Sequence, residues 1–335
     1  MNPRLLCVVV LSGFVSSCAL VRQGPPPAQV KLTPLADRVR IEIDGRLFSE
    51  YIFKGATRPY LYPILAEDGT SLTRDFPMKQ TEGEEVDHPH HRAVMFAHAS
   101  VNGIDFWNEG AAGGRTVPKG SILHDGLVET KNGPVAVIRA KNRWVSPDGK
   151  LICTDESTIR VTQTPSGPAL DYEVTLHALP DTPLHMGDNK DGVAAVRVAQ
   201  WMTLPHKYQG KDVPGNGRYV NSADVRDAAA WGKRAAWCDL YAPKGDKIYG
   251  IAIFNHPQNL RHPTWWMARD YGLFGANPFG QHDFENLKDQ PKIGDYEIPA
   301  GGSLTLRYRF LFHMGDEKAA AIGVRYAEYV AAQAL

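Results

Sequence analysis

The chain has 335 residues, with Lys+Arg and Asp+Glu balanced at 37 each. No basic cluster interrupts that balance, which argues against the electrostatic footprint of a nucleic-acid-binding protein. No stretch after residue 18 approaches the roughly 20 apolar residues that a helical membrane span needs. Nucleic acid is therefore not an expected partner, and the membrane is expected to be reached only through a lipid anchor.

Residues 1–18, MNPRLLCVVVLSGFVSSC, carry Arg4, an apolar run from Leu5 to Val15, and small residues before Cys18. That is the pattern of a secretory signal, residues 1–17. Val15-Ser16-Ser17-Cys18 resembles a bacterial lipobox, in which Cys18 is lipidated and becomes the mature N-terminus; cleavage beside an incidental cysteine is the alternative. Residues 18–34 hold Gly24-Pro25-Pro26-Pro27 and read as a semi-rigid tether. The remainder, 35–335, is expected to form one domain, periplasmic or at the cell surface and lipid-anchored to a bacterial membrane. Within it, Cys153 and Cys238 can either pair in an oxidising compartment or stay buried and free, and no CxxC motif suggests a zinc knuckle.

Short β-branched and aromatic runs recur along the body, separated by Asp44-Gly45, Asp68-Gly69, Asn102-Gly103, Asp125-Gly126, Asn132-Gly133 and Asp148-Gly149. Such pairs supply the positive φ of tight hairpins. Alternation puts the apolar residues of 39–43, 136–140, 157–161, 170–176 and 304–310 on one face of each strand. Residues 205–235, with Pro205, Pro214, Gly215 and Gly217, read as a long excursion. At the C-terminus Asp316 caps an Ala-rich helix through Ala319, Val324, Tyr326 and Val330, expected to cover an edge. The fold class is all-β: a large antiparallel two-sheet sandwich with a C-terminal helix.

Four stretches carry chemistry. Asp87-His88-Pro89-His90-His91-Arg92 excludes helix at Pro89, and in an extended chain His88 and His90 face the same way. That spacing suits two metal ligands, with His98, His256, His262 or Glu85 as a third; a polar acid/base site and a plain loop are the other readings. Gly187-Asp188-Asn189-Lys190-Asp191-Gly192 clusters two carboxylates and an amine in a turn suited to hydroxyl binding or proton transfer, although these residues also simply favour turns. Residues 254–266, FNHPQNLRHPTWW, set His256, Arg261 and His262 beside Trp265 and Trp266, a pattern fit for stacking on a sugar ring. In residues 269–280, RDYGLFGANPFG, Arg269 and Asn277 can reach a substrate, and glycines allow close backbone approach.

Taken together, DHPHHR with VNGIDFW (101–107), GDNKDG, and GIAIFNHPQNLRHPTWW running on to RDYGLFGANPFG resemble a bacterial family of often secreted proteins of unknown function, labelled methane-oxygenase PmoA-like. The resemblance covers roughly residues 35 to 315. It implies the large sandwich shared by galactose mutarotases and several carbohydrate-active enzymes, whose sites pair a histidine acid with a carboxylate base. The resulting expectation is a carbohydrate-active enzyme, an epimerase, lyase or hydrolase, with His90, His91 or His256 as acid and Asp188 or Asp191 as base. Arg92, Lys190, Arg261, His262, Arg269 and Asn277 would hold substrate oxygens, and Trp265 or Trp266 would be the platform. No cofactor is expected in that reading. The alternatives are a divalent-metal enzyme ligated by His88, His90 and His256, and a non-catalytic carbohydrate-binding lipoprotein.

Overall fold

The computed structural model describes residues 28–109 and 117–332. The signal, Cys18 and most of the tether lie outside these residues. Among the described residues the strands form two large antiparallel sheets and two short hairpin-like pairs. In spatial order, the nine-stranded sheet runs Val30–Pro34, Arg38–Ile43, Arg46–Ile52, Tyr60–Leu61, Val94–His98, Gly192–Arg197, Leu273–Asn277, Thr264–Ala268 and Arg234–Ala235. The eight-stranded sheet runs Arg218–Asn221, Trp237–Lys244, Lys247–Asn255, Ser303–Met314, Gly167–Ala178, Leu151–Thr164, Val135–Val145 and Ser121–Lys131. Among the described residues, no helix is long and apolar enough to cross a membrane.

Alternating sequence produces this arrangement directly. In Val135–Val145, Ala136, Ile138, Ala140 and Trp144 are buried while Arg139, Lys141 and Arg143 face out. The inward faces interlock, with aromatic rings of the two sheets meeting at Phe48–Phe312 (5.6 Å between centroids), Phe96–Tyr172 (6.1 Å) and Tyr219–Phe274 (5.4 Å). Asp44 and Gly45 take φ of 47° and 76° and join Arg38–Ile43 to Arg46–Ile52 as the sequence predicts. Asp125-Gly126 behaves differently: it sits inside the strand Ser121–Lys131, at a register shift against Val135–Val145. There the pair makes a bulge, because the flanking residues keep pairing on both sides.

Two further expectations are revised and one open choice is decided. The first strand, Val30–Pro34, pairs Val30 with Ile43, so the final residues assigned to the tether belong to the sandwich. The excursion at 205–235 carries four short strands, including Arg218–Asn221 at one edge of the eight-stranded sheet. Cys153 and Cys238 are both buried and free, with burial pushing their thiols well up.

The C-terminal helix runs Ile322–Ala332. Asp316 accepts the N–H groups of Lys318 and Ala319, but Ala321 turns to φ 52°, so the capped turn precedes the helix proper. Rather than covering an edge, the helix seals a face of the eight-stranded sheet. Ile322 and Tyr329 join Ala169, Ala252, Phe254 and Leu311 in a second apolar cluster. Ile322 is fully buried there, so Ile322→Ala is expected to cost about 2–4 kcal/mol in urea denaturation.

At the centre of the nine-stranded sheet, Val94–His98, Gly192–Arg197, Leu273–Asn277 and Thr264–Ala268 are buried at every position. Loops therefore cover the side of these strands that faces away from the other sheet. The register pairs Val94 with Val196, Gly192 with His98, and Arg197 with Leu273. This brings the histidine stretch and the Arg269–Gly272 turn to one end of the strands and the acidic turn to the other.

Candidate functional site

A cleft of about 430 Å³ lies across these central strands, lined by residues that include His88, His90, His91, Lys190, Asp191, Arg269 and Tyr271. Asp87, Asp105, Trp107, Asn108 and Lys119 complete most of its wall. The stretch DHPHHR is a turn here, with His88 at φ 43° and the His91 N–H donating to the His88 carbonyl at 3.0 Å. The extended geometry that would separate His91 from its neighbours is therefore absent. All three rings cluster: His90 and His91 meet edge to face at 4.4 Å, and His88 stacks on His91 at 4.7 Å and on Tyr271 at 5.3 Å.

Three buried arginines hold this turn in place. Arg74 donates to the carbonyls of Asp87 (2.9 Å) and His88 (3.0 Å) and to the Asp87 carboxylate. Arg197 reaches the same carboxylate at 3.0 Å and lies over the Tyr271 ring at 4.7 Å. Arg58 donates to the carbonyls of His90 (2.8 Å), Phe106 (2.6 Å) and Trp107 (2.6 Å), tying the turn to the strand exit that brings Trp107 into the cleft. Burial pushes Arg58 and Arg74 down to about 10, which leaves both charged at neutral pH. Burial alone would raise Asp87, but the His88 hydrogen bond and the two guanidinium charges hold it well below the usual carboxylate range. Beneath this layer, Glu85 accepts from His206 at 2.7 Å and from Gln200 at 3.1 Å, and stands 3.6 Å from Arg197.

The arginines also fix the protonation of the histidines. Burial, reinforced by the charge of Arg58, lowers His90 to about 3. Burial with His90 and Arg197 nearby lowers His91 well below its ordinary value. Arg197 can only donate, so its 3.4 Å contact makes His91 Nδ1 an acceptor and puts the ring proton on Nε2. His90 Nδ1 is buried without a partner among the described residues. Both rings are neutral at any physiological pH.

The sequence-expected residues divide sharply. His88, His90, His91, Lys190, Asp191 and Arg269 come together in the cleft. Asp188 does not: its fully buried carboxylate accepts the backbone N–H groups of Gly294 (2.6 Å) and His282 (3.1 Å), which anchors the acidic turn from below. Asn277 donates to the carbonyls of Asn189 and Lys190 and shapes that turn. Arg261 is spent on the carbonyls of Pro278, Gly294 and Asp295. Arg92 forms a bidentate pair with Glu109 beside Tyr60. Trp265 and Trp266 are 2% and 0% exposed, their indole N–H groups donating to Glu285 and the Ala235 carbonyl, so neither offers a face to a ligand. His256 packs against Tyr329 of the C-terminal helix, and His262 Nδ1 lies 2.8 Å from Asn255 Nδ2. The set His88, His90 and His256 therefore does not converge. Among the described residues, no group of three or more His, Cys, Asp or Glu side chains is arranged to hold a metal ion.

Sequence reasoning gave no role to Arg58, Arg74, Arg197, Asp105, Lys119 or Tyr271. One signal was available: Arg197 interrupts the apolar run Val193–Val198, and a charge inside a buried strand needs a partner.

Residues 38–327 match the family described as Family of unknown function (DUF6807). The chain belongs to that family. The match carries no methane-oxygenase label. No curated protein sequence matches the chain. Among solved structures, the chain is similar to a galactose mutarotase-like protein from Lactobacillus casei ATCC 334, with 9% identity and TM-score 0.40, covering 85% of this chain and 100% of that one. An alpha-galactosidase from Lactobacillus brevis aligns with 7% identity and TM-score 0.35, over 84% of this chain and 39% of its own. A polysaccharide lyase aligns with 12% identity and TM-score 0.27, over 88% and 34%. Likenesses this distant assign no activity to the family member described here.

Two outcomes test the site's electrostatics. Asp87→Asn leaves Arg74 and Arg197 without their shared counter-charge at 0% and 1% exposure, and is expected to lower stability by about 3–5 kcal/mol in urea denaturation. In the second, unfolded histidine titrates near 6.5 and folded His90 near 3, so between those values the unfolded chain binds the extra proton. Stability must then rise with pH across that window and fall on acidification. His98, lowered to about 4 by burial, acts in the same sense. His90→Gln should flatten the curve of unfolding midpoint against pH between about 6.5 and 3; an unchanged slope would contradict the neutral assignment.

Proposed function

We propose that the protein is a carbohydrate-active enzyme that binds a sugar in this cleft and carries out acid–base chemistry on it. The observation that supports this reading best is the pairing of neutral His90 with Asp191 across a concave wall of hydrogen-bonding groups and ring faces. A sugar presents hydroxyls that both donate and accept, together with flat apolar C–H faces. Asn108, Lys190 and Asp191 answer the first, and Tyr271 the second.

Roles follow from charge. A histidine held this far below neutral pH is a weak proton acceptor but a good uncharged hydrogen-bond donor, suited to polarising a substrate oxygen. The Asp191 carboxylate, with Lys190 Nζ 3.8 Å away, is the proton acceptor. Epimerisation and elimination both open with such a transfer, and the reading invokes no cofactor. Export and anchoring through Cys18 belong to the same proposal, supported by the leader sequence.

The test is a mass-spectrometric screen of purified protein against plant and bacterial oligosaccharides. Asp191→Asn and His90→Gln are each expected to cut turnover by about 10²–10⁴-fold with unchanged substrate binding and melting temperature. If both variants turn over normally, the roles are misassigned. If the panel is bound but never converted, the protein is a binding lipoprotein.

A further inference from the structure

We infer that the sugar taken by this cleft carries a carboxylate, a uronic acid or its glycoside, and that Arg269 is the group that receives it. This rests on the sugar-cleft reading above and narrows its substrate class.

The inference starts from how differently the cleft's cations are used. Arg197 and Arg74 share Asp87, and Lys190 stands beside Asp191. Among the described residues, no carboxylate forms an ion pair with Arg269, although Arg269 lines the same cavity. Its carbon centre lies 3.6 Å from the centroid of the Trp231 ring, so the guanidinium is laid flat and its direction is fixed. Its Nε is buried and has no hydrogen-bond acceptor among the described residues. A desolvated donor without a partner is unfavourable. Arg58 also has a bare Nε but spends both terminal nitrogens on carbonyls, as Arg74 and Arg261 bond carbonyls too, whereas the Arg269 side chain makes no hydrogen bond to any described residue.

A guanidinium held in plane is matched best by a planar anion that accepts two parallel N–H groups, which is carboxylate geometry. The rest of the wall sets the limit on charge. Asp87, Asp105 and Asp191 all line the cavity, so a dianionic phosphate would meet three carboxylates, whereas a single carboxylate can sit on Arg269 while the ring hydroxyls donate to the acids. The histidines supply no competing cation because His90 and His91 stay neutral. Tyr271 lies two residues from Arg269 and lines the same cavity, offering a ring beside the anion site.

Calorimetric titration of the full chain with D-galacturonate and D-glucuronate, their methyl esters, and D-galactose and D-glucose tests this. At least one uronate is expected to bind tenfold or more tighter than both its methyl ester and its neutral parent. That preference should vanish in Arg269→Gln and be only partly restored in Arg269→Lys, which keeps the charge but loses the fork. Should Arg269→Gln lower the melting temperature, the acid-against-ester comparison on the unaltered protein still decides. Equal affinity for acid, ester and neutral sugar overturns the inference and leaves the sugar-cleft reading standing. Acetate competing as strongly as the uronate also overturns it, because the site would then recognise the anion alone. If no sugar of any kind binds, the sugar-cleft reading falls and this inference falls with it.

Discussion

Everything chemical about this protein hangs on a layer of buried guanidinium groups beneath one turn. Arg58, Arg74 and Arg197 are all at or below 2% exposure, and between them they bond five carbonyls of residues 87–107 and the Asp87 carboxylate. Burying three cations is expensive unless acceptors meet them. Backbone oxygens, which cannot be lost by titration, meet Arg58 and Arg74, and the Asp87 carboxylate meets Arg74 and Arg197. His88 is thereby held at a positive φ, a cost of about 1–3 kcal/mol that only surrounding structure can sustain.

The same layer decides the chemistry above it. Positive charge just under the histidines, added to burial, strips His90 and His91 of their protons. Three adjacent histidines in water would be a pH-sensitive cationic patch. Here the two inner ones become fixed neutral groups, and the site's mobile charge resides in Lys190, Asp191 and Arg269. The Asp87 carboxylate is the counterweight that lets two guanidinium groups sit in one place.

The acidic turn shows the division of labour between neighbours in sequence. Asp188 and Asp191 are three residues apart, yet one is a fully buried anchor and the other faces the cleft. Asn277 and the N–H groups of Gly294 and His282 fix the turn from separate parts of the chain. His256, His262, Trp265 and Trp266 look richer in chemistry than the acidic turn when read as letters. They are absorbed by packing, because the strand Thr264–Ala268 is buried at every position and the His-Pro loop runs beside the C-terminal helix.

Local physics was legible in the sequence. Period-2 alternation dictates strands wherever one face is wet, and Asp-Gly and Asn-Gly dictate positive φ; together they determined an antiparallel sandwich and its hairpins at Asp44-Gly45, Asn132-Gly133 and Asp148-Gly149. Ala-rich composition after Asp316 determined the C-terminal helix. The motif DHPHHR marked the site because three histidines and an aspartate exceed what a simple turn requires. What only the tertiary structure decided was which polar residues share a cavity and which are spent on burying backbone. Asp125-Gly126 could not be told from a turn until its strand partner was known. Nor could Arg74 and Arg197 be seen as a pair from positions 123 residues apart. A side chain's neighbours, and with them its charge state and its role, are set by contacts far away in sequence that no local pattern encodes.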